Sequence, residues 1–312
     1  MRLCWCTGLF ALVIAAYGAA PDDGPTAQDR QSRFRSAVDV VSLNVTVTDG
    51  SLRYVTDLGQ RDFEIFEDGR KQKLTFFQKT GLPLALVLLL DTSNSMQENL
   101  PVAQDAAVGF ARELGPADLA SVIGFSTTVH VLQDFTNDRT AIERAIRHTQ
   151  ADGSTALYNA VYIALRELSK TPRGPRGAEP RRQAIVLLSD GDDTSSLVCL
   201  DEVLDLAARD DTTIYAIGLG VRSSPAARNH SDAQFALRRL AERTGGRTFF
   251  PQMASDLAGV YGEIKAELSS QYSLAYESNN TRRDGQFRHV AVRVERTGAV
   301  ARTRPGYYAP AR

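Results

Sequence analysis

Three short apolar runs limit how this chain can fold: Leu84-Ala85-Leu86-Val87-Leu88-Leu89-Leu90, Ala184-Ile185-Val186-Leu187-Leu188, and Thr213 to Leu219. Each is apolar at both odd and even positions and only a few residues long. Such a run suits a strand buried on both faces, which arises when helices cover both sides of a parallel sheet. The intervening segments carry helical spacing. Ala103, Ala106, Ala107, Phe110 and Leu114 recur along one helix face, and residues 139–148, 157–168, 201–209, 232–244 and 254–268 read as further helices. Gly245-Gly246 closes the fourth of these as a C-cap. Leu119 to Phe125 is another strand, with Thr128 to Gln133 paired antiparallel at its edge, and Arg247 to Phe250 is a last short strand. The expected fold class is α/β: a doubly wound, mainly parallel sheet.

The two ends of the chain read differently. Val41, Leu43, Val45 and Val47 alternate with Ser42, Asn44, Thr46 and Thr48, the pattern of a half-buried strand, and Asp49-Gly50 is a turn. Phe63 to Gly69 and then Leu74 to Phe77 read as strand, turn, strand. Alternation returns at Tyr272, Leu274 and Tyr276 and at Val290, Val292 and Val294. Neither end holds enough strands to stand alone. The expectation is one small β-sandwich-like unit built from residues 36–81 and 271–312, with the α/β unit of residues 82–270 inserted between them.

The chemistry gathers where strands end. In an open α/β sheet, ligands bind beyond the carboxyl ends of the strands. Asp91-Thr92-Ser93-Asn94-Ser95 follows the first buried run. Asp152-Gly153-Ser154-Thr155 leads into a helix, and Ser189-Asp190-Gly191-Asp192-Asp193 follows the second buried run. Hydroxyls with a few carboxylates suit a hard divalent cation such as Mg²⁺. Taken singly, Asp91 or Ser93 reads as the cap of a following helix, and Thr155 as the cap of the next. Their conjunction points to a metal site of Asp91, Ser93, Ser95, Thr155 and Asp190. Asp192 and Asp193 read as loop residues or neighbours of the ligands.

These three segments, DTSNSM, GSTALYNA and LLSDGDD, resemble the von Willebrand factor A (VWA) domain and its metal-ion-dependent adhesion site, D-x-S-x-S, then T, then D. The resemblance covers about residues 82–270. RDFEIFEDGRKQKLTFF before it, and QYSLAY through RPGYY after it, resemble a bacterial subfamily of such proteins. The resemblance implies a Rossmann-like fold and a site occupied by Mg²⁺ or Mn²⁺. Ser93, Ser95 and Thr155 would hold the cation directly or nearly so, and Asp91 and Asp190 through waters or hydrogen bonds. A sixth position would remain open for an Asp or Glu of a partner protein. It also implies two conformations linked by movement of the helix at 254–268, and a binding protein rather than an enzyme.

Bulk properties fit that reading. A net charge of -1 over 312 residues supplies no field for nucleic acid. The local run of Arg282, Arg283, Arg288, Arg293, Arg296, Arg302 and Arg304 reads as the solvated face of strands. Residues 1–20 read as a signal peptide, with Arg2, an apolar core from Leu9 to Ala16, and Gly18-Ala19-Ala20 for cleavage. Residues 21–35 read as a linker, and no later stretch is long enough to span a membrane. The expected location is secreted or periplasmic. Cys199 would be the one cysteine of the mature chain, read as a small apolar residue. The loop from Val221 to Ser231 could tune partner choice. The rival enzymatic reading is a haloacid dehalogenase-like phosphatase, with Asp190 as nucleophile and Asp192 as general acid/base. It lacks a suitable lysine, since Lys265 alone follows Thr194. A module with an idle metal site is the third reading.

Overall fold

Fourteen strands and six α-helices are laid out in the computed structural model, which describes residues 40–79, 82–171, 181–220 and 228–311, excluding the side chains of 228–231. The segments read as a signal peptide and linker, residues 172–180 and residues 221–227 of the Val221–Ser231 loop lie outside the described residues.

The central sheet runs in the order β10-β9-β8-β5-β6-β7. Its members are β5 (Leu84–Asp91), β6 (Leu119–Phe125), β7 (Val129–Thr136), β8 (Arg182–Ser189), β9 (Thr212–Gly218) and β10 (Thr248–Phe249). All pairings are parallel except that of the edge strand β7, which is antiparallel to β6. β5 is buried along all eight residues, because helices cover it from both sides. Its even-numbered leucines Leu84, Leu86, Leu88 and Leu90 pack under α1 (Leu100–Arg112), α2 (Arg139–Arg147) and α6 (Leu257–Ser270). Ala85, Val87 and Leu89 pack under α3 (Leu157–Ser169), α4 (Leu200–Arg209) and α5 (Arg228–Thr244). Each of those leucines, fully buried, contributes about 2–3 kcal/mol. The doubly wound fold expected from the three apolar runs is therefore the one observed. The last helix starts three residues later than its periodicity suggests, because residues 254–256 form a 3₁₀ turn.

α5 stops where Gly245 adopts φ +76°. Gly246 then lies so close to β9 that a Cβ there would sit 1.9 Å from the Ile214 carbonyl oxygen. The chain can turn into β10 only because both positions lack a side chain.

Strands from the two chain ends pair with each other in two further sheets. One runs β13-β1-β11-β4, from β1 (Val40–Thr48), β4 (Leu74–Lys79), β11 (Tyr272–Glu277) and β13 (Val300–Arg302). The other runs β14-β12-β2-β3, from β2 (Phe63–Glu67), β3 (Arg70–Gln72), β12 (Phe287–Val294) and β14 (Gly306–Tyr308). Val41, Leu43, Val45, Phe63, Ile65, Tyr272, Leu274, Tyr276 and Val290 share a third core. The strand-turn-strand reading of residues 63–77 missed β3. Asp68 and Gly69, both at positive φ, fold β2 tightly back onto β3, and β4 then leaves for the other sheet.

The arginine-rich end is a solvated face only in part: Arg282, Arg283, Arg293 and Arg296 are exposed, whereas Arg288 and Arg304 are buried and Arg302 is half-buried. Arg302 donates to the fully buried carboxylate of Glu267 on α6. Arg304, itself buried, donates to the Ser42 carbonyl oxygen at 2.9 Å, and Arg288, also buried, pairs with Asp284 at 2.8 Å. Arg296 pairs with Asp57 at 2.5 Å, and Arg293 lies over the Phe66 ring at 4.7 Å. Charge periodicity alone could not separate Arg302 and Arg304 from their exposed neighbours, because their partners, the Glu267 carboxylate and the Ser42 carbonyl, are distant in sequence. Cys199, read as a small apolar residue, is not packed in a core. It is exposed at the N-cap of α4, where its N–H donates to Glu202 at 2.9 Å.

Candidate metal centre

The chain leaves β5 for one neighbour, β6, and returns as β8 on the opposite side, so the sheet's switch point lies between β5 and β8. Asp91 ends β5 and Asp190 directly follows β8, which places the two carboxylates on either side of that point.

Asp91 is fully buried. Its Oδ1 accepts from the Ser93 N–H at 2.9 Å and its Oδ2 from the Ser189 hydroxyl at 2.5 Å. Burial pushes its carboxyl up to about 6, against the two hydrogen bonds, which favour the charged form. Ser93 is buried beside it, and its hydroxyl lies 3.0 Å from that of Ser95. The Ser95 hydroxyl donates to Asp190 Oδ1 at 2.7 Å. Burial also raises the Asp190 carboxyl. A Cβ placed on Gly191 would lie 3.9 Å from both Ser95 Oγ and Thr155 Oγ1, so these hydroxyls flank one small space. All five residues expected at the site thus fall in one loop cluster.

Backbone bonds hold the cluster in shape. The Asn94 N–H donates to the Gly153 carbonyl at 3.0 Å, and the Asp152 N–H to the Thr92 carbonyl at 2.8 Å. The Thr155 carbonyl accepts from Thr194 and Ser195 at 2.8 and 3.1 Å, while the Thr155 N–H donates to the Thr194 hydroxyl at 3.0 Å. The capping alternatives do not describe these side chains. Neither the 3₁₀ turn behind Ser93 nor α3 behind Thr155 has a side-chain cap bond. Asp193 has a positional role: its Oδ1 accepts from the Tyr158 N–H at 3.3 Å and the Ser196 hydroxyl at 2.5 Å, which tethers the start of α3. Ser189 and Thr194 were not singled out in the sequence. Both lie next to the Asp190 motif, but nothing in their type separates a hydroxyl that positions a carboxylate from an ordinary strand-end residue.

The donor set fits a hard divalent cation. It offers three hydroxyls and two carboxylates, and the residue facing them, Gly191, brings no side chain into the space. Among the described residues no three His, Cys, Asp or Glu side chains gather, so no carboxylate- or thiolate-rich metal cage competes with this site. Lys265, needed by the phosphatase reading, spends its ammonium on Glu113 at 2.6 Å on the helical surface.

The family model of the von Willebrand factor type A domain matches residues 85–263. A UPF0353 protein of Mycobacterium leprae is 24% identical over 204 residues, covering 59% of this chain and 60% of that protein. The chain thus spans about 60% of the length of that curated relative. Among solved structures, a von Willebrand factor type A protein from Catenulispora acidiphila superposes with a TM-score of 0.52 at 14% identity, over 89% of this chain and 76% of that one. Proximal thread matrix protein 1 of the mussel byssus, solved with a zinc-occupied MIDAS motif, superposes at 0.50 with 16% identity, over 61% and 49% of the two chains. The match of sheet order, switch point and family model has one consequence: this chain belongs to the von Willebrand factor type A family.

Proposed function

We propose that the loop cluster binds a divalent cation, Mg²⁺ or Mn²⁺, and that the chain works as an exported, non-enzymatic binding protein whose site captures an Asp or Glu of a partner protein. The observation that carries this reading is the continuous hydroxyl–carboxylate line Ser93, Ser95, Asp190 at 3.0 and 2.7 Å, with buried Asp91 behind it. Ser93, Ser95 and Thr155 are the neutral oxygens next to the ion. Asp91 and Asp190 orient them and supply negative charge from slightly further off. Two carboxylates leave a divalent ion incompletely neutralised in a partly desolvated place, so a bound ion supplies a strong attraction for a carboxylate from outside. The zinc-occupied motif of the mussel protein supports a divalent ion in this fold family. Export rests on the signal-like residues 1–20.

Isothermal calorimetry of Mg²⁺ and Mn²⁺ with the purified chain tests the site. Binding is expected for the parent and is lost in Asp91→Ala and Ser93→Ala. Full-strength binding in both variants would remove the site. A pull-down of partner proteins that is unchanged by EDTA would remove the adhesion role while leaving the ion.

A further inference from the structure

The opposite end of the parallel sheet has chemistry of its own. A groove of about 750 Å³ opens where β8 and β9 begin, between the α/β layer and the outer face of β1 and β11. β8 spans eight residues from the groove to the metal site, about 23 Å of extended chain. Arg181, Arg182, Arg209 and Arg304 line the groove, with Asp211 as the acid among them.

The arginines are held in place largely without being neutralised. Arg181 donates to the Ala117 carbonyl. Arg182 donates to the carbonyls of Leu82 and Leu268 and to Gln271 Oε1 at 3.3 Å. The Arg209 guanidinium is exposed and rests over the Tyr308 ring at 4.7 Å. None of these three is paired with a carboxylate among the described residues. Arg304 lies 3.8 Å from Asp211, yet its Nε is buried with no hydrogen-bond partner among the described residues. A guanidinium carries five donors in a fixed fork, so bonds to one or two carbonyls leave capacity for an incoming carboxylate. The remaining walls are mostly apolar, interrupted by Ser42, Asn44, Gln183 and Ser273, with Val40 and Phe76 exposed on the rim.

We propose that this groove is a second binding site, for an extended acidic segment of a partner protein in which Asp or Glu alternates with apolar residues. The period of two in an extended strand turns carboxylates toward the arginines and apolar side chains toward Phe76 and Val40. Arginine forks match carboxylates bidentately, which favours an acidic peptide over a merely apolar one. The groove lies far from the metal site, so its occupancy does not depend on a bound cation.

Fluorescence anisotropy with a fluorescein-labelled octapeptide of alternating Glu and Leu, in EDTA, tests the proposal. The full chain should bind it, and Ser93→Ala should bind it equally. Arg209→Glu and Arg181→Glu, shown to be folded by circular dichroism, should each weaken binding by about tenfold or more. Replacing every Glu of the probe by Gln should weaken it as much, and raising the salt should weaken it further. No binding in EDTA, undiminished binding by both variants, equal binding of the Gln peptide, or tighter binding of a labelled oligothymidylate would each overturn it.

Discussion

Asp91 carries a cost that the proposed cation site would explain. A carboxyl buried to this depth resists ionisation, and its rise from 3.8 to about 6 corresponds to about 3 kcal/mol. Because the folded state binds the proton more tightly than the unfolded state, protonated Asp91 supports the fold fully below pH 3.8. That support fades as pH rises through about 6. In EDTA, the parent should therefore lose stability relative to Asp91→Asn between about pH 4 and 6, as read by urea midpoints. Parallel curves would show that the charge is compensated without metal. Excess Mg²⁺ should reduce the difference, because the ion favours the charged form. Residue chemistry at this site was legible in the sequence because all five candidates sit at strand or helix ends in three short motifs. The burial of Arg302 and Arg304 was not, since it is set by Glu267 and Ser42, partners that only the fold brings near.

The end of α6 is fastened by a buried network rather than by apolar packing alone. Glu267 accepts from Tyr215 at 2.9 Å and from Thr46 at 3.3 Å, and it pairs with Arg302 and with Arg247 at 3.6 Å. Gln271 continues the chain of bonds to Tyr215 at 3.0 Å. One helix is thereby tied to the parallel sheet and to strands from both chain ends. Glu267→Ala strands buried donors and a guanidinium, and should cost about 3–5 kcal/mol in chemical denaturation; a loss under about 1 kcal/mol would show that the network is ornamental. The helix itself was readable from periodicity. Its polar anchor was not, because a glutamate in an amphipathic helix normally faces water.

The whole molecule depends on pairings between its first and last strands. Val41 lies opposite Tyr276, Val47 opposite Ala301, and Ile65 opposite Val292. The alternating patterns foretold the strands, and the shortage of them at each end foretold that they would combine. Their division between two sheets was hidden, because alternation says which face is buried but not which neighbour is beside it. A chain ending at Ser270 lacks β11 to β14 and should aggregate or expose its β1–β4 segment to protease, while residues 36–80 alone should be unstructured by circular dichroism. A well-folded 36–80 fragment would count against the two ends forming a single unit.

Those pairings also impose an order in time. The central parallel sheet has every strand it needs once the chain has been made as far as Phe249, but β1 gains its partner only when Tyr272 emerges, and the second β sheet lacks its last strand until Gly306. Val41, Leu43 and Val45 therefore wait with their apolar faces uncovered until β11 has been made, the situation in which long-range β pairing folds slowly and invites wrong contacts. A nascent chain whose early strands cannot pair until far later strands arrive stays threadable for longer than one that folds as it is made.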